Sequence, residues 1–145
     1  MAERFTIASL QPAIATWLSQ VVGTTRPYAQ IGVVDLGALT DEAMPATREY
    51  CDVLLLHASF AGEVDAPDNV GMQWLRRLRQ TPDCPVIVVV ADDGNELTAV
   101  AALKQGAEDY VPRSAAGPAR LDGILRAAVE VAERRAAFAR RERPA

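Results

Sequence analysis

Short apolar runs alternate along this chain with longer segments in which apolar residues recur every three or four positions. A short apolar run is typical of a buried strand, and the longer spacing is typical of a helix with one buried face. Each run is followed by one such segment. The predicted strands are residues 5–10, 31–36, 53–56, 86–90 and 109–112, and the predicted helices are residues 12–22, 39–50, 71–79, 97–105 and 121–141.

Glycine, proline and polar residues mark several of these boundaries. Pro12 is a favoured first residue of a helix, and Gly23 and Gly106 are predicted to end the helices they follow. Pro112 limits the last strand to an edge of the sheet, because proline donates no hydrogen bond to a ladder. Residues 92–96, which are rich in acidic and amide side chains, are predicted to cap the fourth helix.

The third and fourth strands are apolar on both faces, as expected for central strands of a parallel sheet covered by helices on either side. Alternating strands and helices in a chain of 145 residues predict such a sheet, with right-handed crossovers. We therefore expect an α/β fold with a doubly wound, five-stranded parallel sheet.

The composition favours one domain that binds another protein. Half of the residues are apolar, and the net charge of -4 argues against nucleic acid as a partner of the whole surface. Cys51 and Cys84, which a helix separates, are expected to be reduced thiols rather than a disulfide or metal ligands. No charged and apolar leader or run of ~20 apolar residues is present, so we expect a cytoplasmic protein without a membrane partner.

Four segments carry a resemblance to a known family: residues 52–56, 71–78, 85–91 and 102–110. The last is the most specific, with an alanine- and leucine-rich helix end followed by Gly-Ala-Glu-Asp-Tyr. Over residues 4–130 the chain resembles the receiver domain of two-component response regulators. The resemblance implies a flavodoxin-like sheet with the strand order 2-1-3-4-5.

The positions that carry phosphorylation chemistry in that family all depart from its pattern here. The family places an acidic pair after the first strand, an aspartate after the third, a hydroxyl after the fourth and a lysine after the fifth. The aromatic residue that reports activation in the family is kept as Tyr110. The departing positions are Ser9, Leu10, His57, Val90 and Arg113.

These departures predict that the domain takes up no phosphoryl group. Mg²⁺ binds oxygen ligands in a near-octahedral shell, and no carboxylate stands at the first-strand and third-strand positions. Without the metal, phosphoryl transfer loses its main electrostatic stabilisation. We expect no Mg²⁺ and no other cofactor, and no motif supports an enzyme.

His57 is the only histidine, at the edge of the sheet where ligands bind in such folds. It is interpreted as a residue that fills the space of the lost aspartate. The alternatives are a phosphorylated histidine, as in a phosphocarrier, and a small anion held between His57 and Arg113. A substitute metal cluster of Asp35, Asp92 and Asp93 is disfavoured, because the sheet order separates the first from the other two.

The connection between the third strand and the third helix, residues 58–70, is longer than the family's usual one. It contains Glu63, Asp65 and Asp68. A lid or a partner-binding loop is one interpretation, and a tolerated surface insertion is the favoured one.

The last helix keeps an apolar stripe beyond the expected end of a receiver. We predict a receiver-like domain at residues 1–127 and an extension at residues 128–145 that dimerises or links to a further domain. The arginines between positions 134 and 143 leave a nucleic-acid contact as a weaker alternative. The predicted dimer stripe is Leu121, Ile124, Leu125, Ala128, Val131 and Phe138.

The sequence therefore predicts a pseudo-receiver that works without phosphorylation, through a protein partner or a homodimer. Its expected working surface is the fourth helix, the fifth strand and the last helix. The alternatives are the N-terminal pseudo-receiver of an RNA-binding, antiterminator-like regulator or of a sensory or catalytic multidomain protein, and a domain that carries phosphate or binds an anion through His57.

Overall fold

The computed structural model describes residues 3–38 and 51–142, and the predicted helix at 39–50 lies outside them. The strands are β1 (Arg4–Ser9), β2 (Gln30–Asp35), β3 (Val53–Ala58), β4 (Val86–Ala91) and β5 (Asp109–Pro112). The helices are α1 (Pro12–Thr25), α2 (Val70–Arg79), α3 (Glu96–Lys104) and α4 (Pro118–Glu142). Two 3-10 segments, Leu36–Ala38 and Arg113–Ala115, follow β2 and β5.

The five strands form one parallel sheet in the order β2-β1-β3-β4-β5. This confirms the predicted doubly wound α/β fold and its strand order. The strands β3 and β4 are buried at every position, as the apolar runs at 53–56 and 86–90 predict, and His57 of β3 is buried with them. All carboxyl ends of the strands lie along one edge of the sheet, and the site described below is at that edge.

Each face of the sheet has its own apolar core. On one face α1 and α4 cover a cluster that includes Ile7, Leu55 and Val88. On the other face α2 and α3 cover a cluster that includes Leu56 and Val89. The alternation of side chains along a strand divides neighbouring residues of β3 and β4 between the two cores.

Of two helix ends predicted from glycines, one is wrong and the other is confirmed. The prediction that Gly23 ends α1 was wrong, since the helix continues to Thr25 and stops where Pro27 follows. The backbone N–H of Arg26 still donates to the Val22 carbonyl at 2.8 Å. Gly106 does follow the end of α3, with the positive φ of +110° that a glycine tolerates.

The start of α3 depends on Asn95 rather than on the two aspartates before it. The Asn95 side chain accepts from the backbone N–H groups of Leu97 and Thr98 at 2.9 and 3.1 Å. The Thr98 hydroxyl accepts from the Asn95 N–H at 2.8 Å, which completes a reciprocal cap. The expectation that Asp92 and Asp93 cap this helix was wrong, because both reach across to the end of β3.

Candidate functional site

The parallel register brings the positions named from the sequence to one edge of the sheet. Ser9 pairs with His57, and His57 pairs with Val90 on the other side. Arg113 follows the end of β5, beside the end of β4. Leu10 does not join them, because it lies beyond β1 with 41% of its surface exposed.

His57 is buried, with 1% of its surface exposed, and both of its ring nitrogens are hydrogen bonded. Nδ1 lies 2.7 Å from the Ser9 hydroxyl, and Nε2 lies 2.8 Å from Asp92 Oδ1. A carboxylate only accepts, so Nε2–H donates to Asp92. The Ser9 hydroxyl oxygen also accepts from the backbone N–H of Gln11 at 2.9 Å. The imidazole therefore connects β1 to the loop after β4.

Asp92 is shared between the histidine and Arg113. The Arg113 Nε atom lies 2.6 Å from the same Oδ1 atom that accepts from His57. The Asp92 side chain is 16% exposed and that of Arg113 is 44% exposed, so this ion pair lies at the rim of the site. The positive charge of Arg113 is thus paired with a carboxylate of the protein itself.

The sequence reasoning missed Asp92 as a member of the site. Its place in a polar stretch before α3 predicts helix capping instead. The available signal was its position two residues after Val90, at the same edge as His57. With the strand order 2-1-3-4-5 that the resemblance implies, that position predicts proximity to His57.

Asp93 joins the loop after β4 to the loop after β3. Its Oδ1 atom accepts from the Ser59 hydroxyl at 2.6 Å and from the Phe60 backbone N–H at 3.1 Å. Asp35, at the end of β2, accepts instead from the N–H of Gly37 at 2.9 Å. The three aspartates are therefore not one cluster, and the described part of the chain has no group of three or more residues arranged to hold a metal.

The long connection after β3 is built into the fold at both ends. Phe60 and Asn69 are fully buried. The Asn69 amide donates to the Phe60 and Gly62 carbonyls at 3.2 and 3.3 Å, and its oxygen accepts from the Met72 N–H at 3.1 Å, which caps α2. Only the middle of the loop faces solvent, including Asp65, which pairs with Arg76 at 2.9 Å.

Tyr110 on β5 packs under the loop that precedes α3. Its ring contacts the Phe60 ring edge to face, with centroids 5.6 Å apart, and its hydroxyl lies 3.4 Å from that of Thr98. Gly94 covers this hydroxyl with a φ of +145°, and a Cβ atom there would overlap the Tyr110 oxygen. The side chain is therefore held by Phe60, Thr98 and Gly94 without a hydroxyl at position 90.

Most of the predicted dimer stripe on α4 packs into the domain itself. Leu121, Leu125 and Ala128 are fully buried in the core under α1, and Ile124 and Val131 are partly buried against it. Core contacts continue to Ala132, beyond the boundary predicted at residue 127. Of the six residues in that stripe, only Phe138 is largely exposed, at 62%.

The two cysteines are free thiols, and burial raises the pKa of each. The Cys84 thiol donates to the Pro85 carbonyl at 3.2 Å, while Cys51 is fully buried.

Among the described helices, none combines the length and hydropathy that crossing a bilayer requires.

Comparison with known proteins gives curated relatives that match only part of this chain and part of their own length. The transcriptional regulatory protein CpxR of Escherichia coli is 37% identical over 73 residues, which is 50% of this chain and 28% of CpxR. The transcriptional regulatory protein YxdJ of Bacillus subtilis is 30% identical over 86 residues, or 59% of this chain and 33% of YxdJ. The matched segments thus span a third or less of these relatives. No family model matches the chain.

Solved structures match nearly the whole chain. A CheY-like response regulator receiver domain protein from Methanospirillum hungatei aligns with a TM-score of 0.70 and 15% identity, over 93% of this chain and 99% of that one. This chain has the fold of a response regulator receiver domain. The BeF3-activated N-terminal receiver domain of RstA from Klebsiella pneumoniae aligns with a TM-score of 0.66 and 23% identity, over 88% of this chain and 98% of that one.

The sequence relatives are matched over a third or less of their length and the structural neighbours are under 25% identical, so together they show the receiver fold. Within that receiver fold, the edge that carries Ser9, His57, Asp92 and Arg113 is the place where the family's acidic pair, aspartate and lysine were expected. The contacts at this edge are the basis of the proposal that follows.

Proposed function

We propose that this receiver-like domain is a signalling module that works without phosphorylation, by binding a protein partner or a second copy of itself. The observation that carries the proposal is the set of bonds around Asp92. One carboxylate oxygen of Asp92 contacts both His57 and Arg113, and His57 is bonded in turn to Ser9. The polar and charged side chains at this edge therefore satisfy one another's hydrogen bonds and charges.

The chemistry of the edge supports independence from phosphorylation. An imidazole stands where an aspartate would accept the phosphoryl group, and Val90 has no hydroxyl to donate to a phosphoryl oxygen. Arg113 is paired with Asp92, so a phosphoryl group would have to compete with that carboxylate for its cation. No carboxylate from β1 or β3 reaches the edge to bind Mg²⁺ with Asp92.

The same contacts favour this proposal over chemistry at His57. A phosphocarrier histidine needs one ring nitrogen that reaches a phosphodonor, and His57 is 1% exposed with both nitrogens bonded. A small anion between His57 and Arg113 would meet the Asp92 carboxylate, which already lies between them. We therefore propose a structural role for His57 and no enzymatic activity for the domain.

The surface proposed for binding consists of α3, β5 and α4. Tyr110 on this surface is held by contacts that do not involve the phosphorylation positions. The domain would then hold one arrangement of this surface, or change it only when a partner binds. A cytoplasmic setting within a two-component type of regulatory system is part of the same proposal.

Incubation of the chain with Mg²⁺ and acetyl phosphate, followed by intact-mass measurement, tests independence from phosphorylation. We expect no added phosphoryl group, and we expect Mg²⁺ with beryllofluoride to leave the amide spectrum unchanged. A receiver domain that retains its phosphorylation aspartate is the positive control. A stable mass increase that disappears in His57→Ala would overturn the proposal in favour of a phosphocarrier.

A further inference from the structure

A groove lies between the end of α2 and the last turns of α4. Its volume is about 720 Å³, which falls within the range of ~300–1,000 Å³ that is usual for ligand sites. Cys84 lines it two residues before β4 begins, so the groove is at the amino edge of the sheet. It is therefore separate from the contacts of His57, which are at the carboxyl edge.

The groove carries three arginines from two helices. Arg79 is the last residue of α2, and Arg134 and Arg135 belong to α4. The carboxylates of Asp83 and Glu142 also line it, so positive charge is in excess in a chain whose net charge is -4. A guanidinium group has a planar fork of donors that fits the oxygens of a phosphate. The groove therefore favours a ligand with anionic oxygens.

The ends of the neighbouring helices do not account for all of this charge. The carboxyl end of a helix carries a partial negative charge, which an arginine in the last turn offsets. Arg79 has this role, and its Nε atom donates at 3.3 Å to the carbonyl group that follows α3. In contrast, Arg134 and Arg135 precede the last turn of α4, whose arginines are Arg140 and Arg141. Two guanidinium groups of the groove are thus available to a ligand.

Phe138 adds an aromatic surface beside these cations. Its side chain lines the groove and is 62% exposed. Stacking of a nucleobase on an aromatic side chain is favourable and tolerates any base, because every base has a π-face. An aromatic ring next to several guanidinium groups therefore matches a ligand that combines a flat ring with phosphates.

The Cys84 thiol shows that the positive charge reaches the interior of the groove. Burial raises the pKa of this thiol, while Arg79 and Arg135 act in the opposite direction. The two guanidinium groups come from α2 and from α4, so both sides of the groove contribute to the charge around the sulfur atom. A ligand held by these arginines would lie over Cys84.

We propose that this groove binds a nucleotide, with its phosphates on Arg134 and Arg135 and its base stacked on Phe138. The site goes beyond the proposed partner-binding function and does not depend on it, because it lies at the opposite edge of the sheet. It would give the domain a small-molecule ligand in addition to a protein partner.

Maleimide labelling of Cys84 in the full chain, with ATP as the probe, tests the proposal. Cys84 lines the groove whereas Cys51 is fully buried, and peptide mass mapping separates the two. The experiment is run at a pH at which Cys84 is readily labelled. At ATP concentrations about ten times the Kd, the labelling rate should fall ~10-fold, because only the unoccupied protein reacts. Tripolyphosphate and adenosine each supply half of the ligand and should protect less than ATP.

Three variants identify the contacts. Phe138→Ser and Arg134→Gln are each expected to raise the ATP concentration for half-protection by ~10-fold, since one removes stacking and the other a charged hydrogen bond. Arg141→Gln is the matched control, because it removes the same charge from an exposed position of α4 outside the lining of the groove. It should change that concentration by less than about twofold, since solvent screens an exposed charge. Urea unfolding verifies that all three variants remain folded.

The possible outcomes decide between a nucleotide site and simpler explanations. Absence of protection by ATP would overturn the proposal. Equal protection by tripolyphosphate, or an equal loss of protection in Arg141→Gln, would overturn it in favour of unspecific attraction of anions. None of these results bears on independence from phosphorylation, which the phosphodonor experiment measures separately.

Discussion

Gly94→Ala tests whether the loop before α3 is shaped around the Tyr110 hydroxyl. Gly94 has a φ of +145°, which disfavours any residue with a Cβ atom. The added methyl group would overlap the Tyr110 oxygen and lie 2.7 Å from Thr98 Oγ1 and 3.2 Å from Phe60 Cβ. The substitution therefore adds backbone strain and a steric conflict at the same position.

The two contributions differ in size and can be separated. Backbone strain of this kind costs on the order of 1–3 kcal/mol. Crowding of a packed site by one methyl group costs about another 1–3 kcal/mol. We expect Gly94→Ala to lower the free energy of unfolding by about 2–5 kcal/mol. Removing the Tyr110 hydroxyl relieves the closest part of the crowding and leaves the backbone strain, so Gly94→Ala should cost ~1 kcal/mol or more less in a Tyr110→Phe background than in the native chain.

A double-mutant cycle in urea measures this difference, with Gly94→Ala, Tyr110→Phe and the double variant. Tyr110→Phe alone should cost less than about 1 kcal/mol, since its hydroxyl makes one long hydrogen bond of 3.4 Å. Gly123→Ala on α4 is the control, because its methyl group meets nothing within 4 Å and should stabilise by about 0.5–1 kcal/mol. Additive costs in the double variant would refute the proposed contact.

Three further predictions follow from buried groups. His57→Ala removes two hydrogen bonds and leaves a cavity, so the free energy of unfolding should fall by about 2–4 kcal/mol, as measured in a urea titration. An unchanged free energy would show that the hydrogen bonds of His57 to Ser9 and Asp92 do not stabilise the fold. Gly71→Ala places a methyl group 2.5 Å from the Phe60 ring and should lower the stability of the fold by about 1–3 kcal/mol. The expected readout is a lower melting temperature, and an unchanged melting temperature would contradict this prediction. Burial raises the pKa of Cys84, so its thiolate forms at higher pH than that of a free thiol, and the rate of maleimide labelling of Cys84 should increase only at correspondingly higher pH. Cys51 is fully buried and should be labelled only after unfolding.

The elements of this fold could be predicted because its local patterns are strong. The apolar runs at 53–56 and 86–90 are typical of strands that are buried on both faces, and β3 and β4 are buried throughout. Pro12 and Gly106 stand where the helices begin and end. Gly23 misled the prediction, since a glycine ends a helix only when the backbone takes a positive φ, and the chain continues as a helix to Thr25.

The partners of the site residues could not be predicted from spacing along the chain. His57 and Asp92 are 35 residues apart, and their hydrogen bond exists because β3 and β4 pair in one particular register. The role of Asp93 depends in the same way on the path of the loop that follows β3. Local propensity predicts that both aspartates cap α3, whereas in the structure Asp92 contacts His57 and Asp93 contacts Ser59 and Phe60.

The sequence by itself determined the alternation of strands and helices, the two-sided burial of the sheet and the identity of the residues at its carboxyl edge. These follow from local periodicity and from the way hydrophobic runs must be covered. Only the tertiary structure decided that Asp92 joins His57 to Arg113, that Phe60 and Gly94 hold Tyr110, and that Phe138 is exposed while Leu121 and Leu125 are buried. Those outcomes depend on strand register and helix packing, which bring together side chains that are far apart in the chain.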